Sequence, residues 1–253
     1  MNANALLNDF AIRCFRDSAD RDYIAARMSY RAALIPQFYW SSLQSIEKYL
    51  KTILLLNRIK AKKVGHDLSR ALECAKHLPF EIRLSPICRK FVGTLDAFGR
   101  FRYLEISFSI HGPMLVELDR TVWEIRRYCQ VINHAMALED GRTKNMLELE
   151  LARIASSERG APQKFRLMGG LLEKILDKKN HPARSTLIWQ NAFFGSYTRK
   201  KVRVPTHFQA ENAPLTLHPE ILDEVIKYVF LPGEVVAAFR AELAKRSSGQ
   251  RRA

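Results

Sequence analysis

The sequence predicts an all-α protein, because apolar residues recur at helical spacing along most of the chain and prolines mark where these segments end. The clearest helix covers residues 37–58, where large apolar residues recur every three or four positions, as on one buried face. One interval, 195–214, alternates apolar with polar or basic residues and predicts a short hairpin. We therefore expect two helical regions, residues 1–137 and 138–253, with the hairpin in the second.

The first region contains five predicted helices, at residues 9–33, 37–58, 68–78, 88–98 and 115–136. Pro36 separates the first two, since the residue before a proline avoids the helical conformation. Asp67 is a good N-cap for the third, because its carboxylate can accept hydrogen bonds from the first turn. In the fifth, apolar residues continue on one face as far as Ile132, so this helix is expected to reach Met136.

The second region is also helical but more broken. Its predicted helices lie at residues 144–156, 165–178, 182–194, 220–230 and 234–245. Pro182 and Pro219 suit the first turn of a helix, where a missing amide proton costs nothing. The hairpin predicted between these helices rests on the alternation of Tyr197, Val202, Val204 and Phe208.

The composition indicates a folded protein with a strong excess of positive charge. Hydrophobic residues make up 47% and charged residues 26%, which is ordinary for a globular chain. The formal net charge is +15, and the basic excess is spread over both halves of the chain. A broadly positive surface attracts polyanions, of which nucleic acid is the commonest. A role of this charge in solubility alone is the other interpretation.

The four cysteines, Cys14, Cys74, Cys88 and Cys129, are widely spaced and form no Cys-x-x-Cys pair. Reduced thiols in a cytoplasmic protein fit this pattern best, and no spacing suits a metal site. The first residues lack the cationic and apolar segments of a secretion signal, and no long apolar run predicts a membrane-spanning helix.

A column of polar residues runs beside the apolar face of the 37–58 helix. Gln44, Lys48 and Lys51 stand at i, i+4 and i+7 and therefore share one side, which we call the polar column. Glu47 lies four residues before Lys51 and supports the helix as an ion pair. Such a column is either a solvated edge or the wall of a polar site. His66, which follows soon after, is either a structural turn residue or part of that site.

Three motifs together resemble the HEPN family: the polar column with Glu47, the Gly65–Leu68 segment, and a later Phe101–Glu105 segment. The resemblance covers about residues 9–132 and implies an up-and-down bundle of four or five helices that forms a homodimer. It also implies an RNA- or nucleotide-binding protein of prokaryotic defence or toxin–antitoxin type, with no cofactor. Lys48, Lys51, His66, Arg102 and Tyr103 are the binding residues that it suggests. No family is suggested for residues 138–253.

Catalytic members of that family carry an arginine followed, after four to six residues, by a histidine. Arg127 and His134 have this spacing, as do Arg70 and His77, although such matches are expected by chance in so basic a chain. A guanidinium can stabilise charge on a phosphate while an imidazole transfers a proton. Arg127 and His134 would share a face of the predicted 115–136 helix and make a metal-independent endoribonuclease. The apolar neighbour Tyr128 departs from the family pattern, and a solvated surface is the alternative.

The densest basic segment comprises Arg199, Lys200, Lys201 and Arg203, between Tyr197 and Phe208. Cations with adjacent aromatic rings can follow an RNA backbone and stack its bases, although a solvated hairpin tip has the same composition. The sequence thus supports two functional hypotheses. The first is RNA or nucleotide binding, with or without cleavage. The second is a non-enzymatic interaction subunit that docks a nucleotidyltransferase, an antitoxin or another protein partner.

Overall fold

The computed structural model describes residues 3–62, 64–99, 104–110, 112–137, 143–195, 201–203 and 209–250. Helices dominate these residues, which confirms the all-α prediction. The chain forms two compact units: a larger one from Met1–Arg100 and Pro113–Pro205, and a smaller one from Phe101–Gly112 and Thr206–Ala253. These ranges differ from the predicted division after residue 137. None of the described helices combines the length and the apolar character needed to cross a bilayer.

The larger unit begins with three helical segments that run on without interruption: α1 (Ala3–Phe10), a π-helical turn (Ala11–Arg16) and α2 (Asp17–Arg31). Ala33 then adopts a positive φ of 57°, and α3 (Ile35–Leu56) starts with Pro36 in its first turn. The predicted apolar face of α3 is buried and packs along α2.

Three further helices complete the first half: α4 (Leu68–Ala75), α5 (Pro86–Phe98) and α6 (Met114–Arg126). Asp67 is the N-cap of α4, as predicted, and accepts a hydrogen bond from the Arg70 amide at 2.7 Å. Asp96 of α5 accepts from the amides of Leu68 and Ser69 at 2.8 and 3.1 Å. The first turn of α4 is therefore fixed by its own cap and by α5.

The prediction that the fifth helix reaches Met136 is wrong, because α6 ends at Arg126. Asn57 provides the physical reason. Its side chain donates to the Val131 carbonyl at 2.9 Å and accepts from the Asn133 amide at 3.3 Å, which holds this segment in a non-helical form. A short antiparallel hairpin follows, formed by β2 (Ala135–Ala137) and β3 (Thr143–Asn145).

The rest of the larger unit contains α7 (Met146–Ser157), a 3₁₀ turn (Pro162–Lys164), α8 (Leu171–Asp177) and α9 (Arg184–Ile188). The helix predicted at 182–194 is shortened, because the Asn191 side chain accepts from the amides of Phe193 and Phe194 at 2.9 Å and forms a turn there. Both α8 and α9 pack on α2, so residues beyond 137 belong to the same unit as the bundle.

The smaller unit pairs β1 (Phe108–Ile110) with β4 (Gln209–Glu211) in antiparallel register, Phe108 opposite Glu211. It continues through α10 (Pro214–Leu217), a 3₁₀ turn (Pro219–Ile221), α11 (Leu222–Val225) and α12 (Gly233–Gln250). Its core contains Leu215, Leu222, Val235 and Phe239. The hairpin predicted at 195–214 is wrong at its carboxyl end, because β4 pairs with the distant β1. Residues 196–200 and 204–208 of the predicted hairpin lie outside the described residues.

Candidate functional site

The polar column of α3 forms a compact cluster with the turn that precedes α4. Glu47, Gln44 and Lys51 lie on the side of α3 that faces His66, and Gly65 adopts a positive φ of 56° in this turn. We call Gln44, Glu47, Lys51 and His66 the α3 edge cluster. Two of the three residues of the polar column, Gln44 and Lys51, thus belong to this cluster, and a role of the column as the wall of a polar site stays a prediction.

Glu47 organises the α3 edge cluster. Its side chain is only 4% exposed, and its Oε2 lies 2.7 Å from Nδ1 of His66. Lys51 pairs with the other oxygen, Oε1, and its Nζ also donates to the Gly65 carbonyl at 3.1 Å. Gln44 Nε2 lies 3.3 Å from Glu47 Oε2 and 3.2 Å from His66 Nδ1. One buried carboxylate thus receives three donors.

The short contact to Glu47 determines the tautomer of His66. Nδ1 donates its proton to the carboxylate, so it cannot also accept from Gln44, whose amide instead bonds the carboxylate. In the neutral ring Nε2 can then accept a hydrogen bond. The His66 side chain is 55% exposed, and the Trp40 ring meets it edge-on with centroids 5.4 Å apart. The site therefore presents an oriented imidazole beside an indole ring.

Lys48 points toward α2 rather than joining this cluster. Its Nζ lies 2.5 Å from Oδ2 of Asp22, and both side chains are partly buried. Burial raises the pKa of Asp22, while the ammonium of Lys48 opposes that rise. Lys48 and Lys51 are thus each neutralised by a carboxylate, Asp22 and Glu47. An anion at this edge would have to compete with those carboxylates, whereas the His66 imidazole is more than half exposed.

Arg127 and His134 do not share a helix face, because α6 ends before both of them. Arg127 is buried, donates from Nη2 to Glu158 Oε1 at 2.9 Å, and lies 5.4 Å from the centroid of the Tyr128 ring. His134 is exposed in the segment before β2. The predicted placement of Arg127 and His134 on one helix face is therefore wrong, whereas their catalytic role stays a prediction.

Of the remaining predicted binding residues, Arg102, Tyr103, Arg199 and Lys200 lie outside the described residues. Lys201 and Arg203 are exposed, and neither forms an ion pair with another residue that the structure describes. The Arg203 amide donates to Oε1 of Gln190 at 2.9 Å. These two cations are open to solvent.

A second set of charges lies inside the larger unit, and periodicity in the sequence did not identify it. Arg126 Nε donates to Asp20 Oδ1 at 2.7 Å, and its Nη1 donates to Glu173 Oε1 at 2.6 Å. Arg27 pairs with Asp119, whose Oδ1 also accepts from the Tyr23 hydroxyl at 2.6 Å. We call these six residues the interior ion network.

Burial and the paired charges together set the protonation of the interior ion network. It raises the pKa of Asp119 despite the adjacent Arg27 guanidinium, and it raises the pKa of Tyr23 well above the ordinary value. Burial alone would lower the pKa of Arg126, but the carboxylates of Asp20 and Glu173 hold it above its usual range. No group of three or more metal-ligating side chains lies together in the part of the chain that the structure describes.

Comparisons with family models, curated proteins and solved structures gave no match to this chain. The resemblance to the HEPN family therefore rests on the polar column with Glu47, the Gly65–Leu68 segment and the Phe101–Glu105 segment.

Proposed function

We propose that this chain is a HEPN-like protein of prokaryotic defence or toxin–antitoxin type that binds RNA or nucleotides at the α3 edge cluster. The observation that carries the proposal is the half-exposed His66 imidazole, oriented by the buried Glu47 carboxylate beside the Trp40 ring. We further propose that it acts in the cytoplasm as a homodimer.

The chemistry of the cluster suits a nucleotide. Nε2 of His66 can accept a hydrogen bond from a ribose hydroxyl or from an exocyclic amine of a base. The adjacent Trp40 ring offers an aromatic surface of the kind on which unpaired bases stack. The net charge of +15 also favours the approach of a polyanion.

Nucleotide binding tests the cluster directly. We expect His66→Ala to weaken the binding of uridine and adenosine 5′-monophosphates by about tenfold, since an oriented hydrogen-bond acceptor is lost. His218→Ala, which removes another exposed imidazole beside a carboxylate, is the matched control and should leave affinity unchanged. Isothermal titration calorimetry on the full chain measures both. Equal affinities for parent and His66→Ala would refute the assignment.

The cationic segment at 199–203 is proposed to hold the RNA backbone. Neutralising Arg199, Lys200, Lys201 and Arg203 together with glutamine should weaken binding of single-stranded RNA and reduce the slope of log affinity against log salt by up to about 3. A control that neutralises four exposed cations elsewhere carries glutamine at Lys76, Arg159, Lys178 and Lys179. Fluorescence anisotropy over several salt concentrations separates the two. Identical slopes for both variants would contradict this role.

A metal-independent endoribonuclease activity stays part of the proposal. RNA should then be degraded in the presence of a chelator, and His134→Ala should abolish that degradation. His134 is the better probe of the pair, because Arg127 is buried against Glu158 and its loss would also affect folding. If His134→Ala degrades RNA like the parent, Arg127 and His134 are not the catalytic pair.

A second function, the docking of a protein partner such as a nucleotidyltransferase or an antitoxin, is favoured by one observation. Tyr228 and Phe230 of the smaller unit are 82% and 89% exposed, with the exposed Val229 between them. Exposed apolar patches often mark protein contacts. Under this alternative RNA binding is weak at all salt concentrations, and a defined partner co-purifies with the parent but not with a Tyr228→Ser, Phe230→Ser variant.

A further inference from the structure

A pocket in the second half of the larger unit takes no part in the α3 edge cluster. It has a volume of about 440 Å³ and lies among α6, the 163–168 segment, α8, α9 and residues 193–195. Small-molecule sites commonly fall between about 300 and 1,000 Å³. The pocket is therefore large enough for a ligand of one or two rings with a short side chain.

Aromatic side chains form much of this pocket. Phe193 and Phe194 are buried, and Phe194 meets the Trp123 ring edge-on with centroids 5.8 Å apart. Phe165 contributes another ring, and Leu167 and Met168 add buried apolar surface. Flat aromatic groups pack well against such rings in offset or edge-to-face arrangements. The lining thus favours a planar apolar body in the ligand.

The arginines of the pocket differ in whether a carboxylate pairs with them. Three of its four arginines are held by carboxylates, in the pairs Arg126 with Asp20 and Glu173, Arg127 with Glu158, and Arg166 with Asp177. The fourth, Arg184, donates from Nε to the Leu176 carbonyl at 3.1 Å and pairs with no carboxylate among the residues that the structure describes. Arg184 is partly buried. One guanidinium therefore keeps the capacity to bind an anion.

We propose that this pocket binds a small planar aromatic carboxylate, with its ring against Phe193 and Phe194 and its carboxylate on Arg184. A guanidinium that is already fixed by one hydrogen bond loses little freedom when it receives a carboxylate, and such charge-assisted pairs are the stronger hydrogen bonds. The neighbouring carboxylates Glu173 and Asp177 restrict the ligand to one that places its charge at Arg184. This site is independent of the proposed RNA- or nucleotide-binding function.

A matched pair of ligands tests the charge requirement without any mutation. We use 4-biphenylacetate and 4-biphenylacetamide, which have the same shape but differ in charge, and titrate each into the full chain by calorimetry. The acid should bind one site per chain at least about tenfold more tightly than the amide. Equal affinities, or no saturable binding of the acid, would overturn the proposal.

The role of Arg184 is tested by three variants. Arg184→Gln should remove the preference for the acid, whereas Arg184→Lys should keep most of it, because the positive charge is retained. Arg159→Gln changes an exposed arginine outside the pocket and should bind like the parent. If Arg184→Gln is folded and still prefers the acid, the anion binds elsewhere.

Tryptophan fluorescence locates the ligand. The chain has 3 tryptophans, and only Trp123 lines the pocket, so Trp40→Phe combined with Trp189→Phe leaves one reporter in place. Titration with 4-biphenylacetate should change the emission of Trp123 with the same midpoint as the calorimetric titration. Saturable binding that leaves this emission unchanged would place the ligand outside the pocket and refute the assignment.

Discussion

The larger unit contains two clusters of charged residues that use the same chemistry in different surroundings. In the interior ion network Arg27 and Asp119 are almost completely buried, and Arg27 also donates to the Thr186 carbonyl at 3.0 Å. In the α3 edge cluster Glu47 is buried, but His66 and Lys51 reach solvent. The interior pairs are therefore shielded from water, whereas the edge leaves His66 and Lys51 accessible to solvent.

The two clusters also differ in the number of secondary-structure elements that they connect. The interior ion network joins α2, α6, α8 and the start of α9 through Arg27, Asp119, Arg126 and Glu173. Among the residues that the structure describes, the α3 edge cluster joins α3 to the turn before α4. Residue type alone thus does not separate the two clusters. They differ in burial and in the number of elements that they connect.

Thiol reactivity should show the largest contrast between interior and surface. Burial raises the pKa of Cys88 to about 11, and it also raises the pKa of Cys129, whose Sγ donates to the Tyr49 carbonyl at 3.5 Å. At pH 8 a thiol of that pKa is ionised on the order of one part in a thousand. Cys14, which is exposed, should react with an aromatic disulfide reagent at least about a hundredfold faster than either, because weak ionisation and burial both protect the interior thiols. Comparable rates in the folded protein would contradict the packing described.

Asp119→Ala should have the largest effect on stability. It leaves the Arg27 guanidinium buried with no counter-charge, and breaking a buried pair in this way costs about 3–5 kcal/mol. Urea unfolding followed by circular dichroism measures the loss. Glu73→Ala, which breaks the exposed pair with Lys76, is the control and should leave the unfolding midpoint in place. Similar effects of both substitutions would remove the distinction between the clusters.

Glu47→Gln should lower the free energy of unfolding by less, about 1–2 kcal/mol. The amide retains one acceptor, and the side chains of Lys51 and His66 can both be solvated instead. The same unfolding measurement applies. Nucleotide binding should weaken in parallel, since His66 loses the carboxylate that orients it. A loss of stability as large as that of Asp119→Ala would show that the edge cluster is part of the structural core.

Ser42→Ala should have the smallest effect and the opposite sign. The Ser42 hydroxyl is buried on α3 and has no hydrogen-bond partner among the described residues. Removing an unsatisfied buried hydroxyl should stabilise the protein by up to about 1 kcal/mol. Ser45→Ala is the matched control, because that hydroxyl donates to the Ala19 carbonyl at 3.0 Å and its loss should destabilise. Destabilisation by Ser42→Ala would indicate that this hydroxyl has a partner.

The strongest local signals were sufficient to predict much of the fold. The period of apolar residues located α3 to within two residues at each end, and the chemistry of Asp67 identified the start of α4. The end of α6 was missed, because residues 127–132 keep a helical apolar pattern while the distant Asn57 side chain binds their backbone. A hydrogen bond between residues 74 positions apart leaves no periodic trace in the sequence.

The sequence predicted only part of the candidate site, because the other part depends on tertiary contacts. The column of Gln44, Lys48 and Lys51 follows from helix geometry, and the resemblance added His66. The central role of Glu47 could have been suspected from its position beside Lys51, but its contact with His66 depends on how the 65–67 turn folds back on α3. The pairing of Arg27 with Asp119 spans 92 positions and needed the tertiary structure.

The pairing of β1 with β4 constrains the order in which the chain can mature during translation. Phe108 leaves the ribosome long before Glu211, its partner across the ladder, has been synthesised. All residues of the larger unit, in contrast, precede Thr206. A nascent chain can therefore fold the larger unit while β1 is still unpaired. An unpaired strand edge is the kind of surface that chaperones shield.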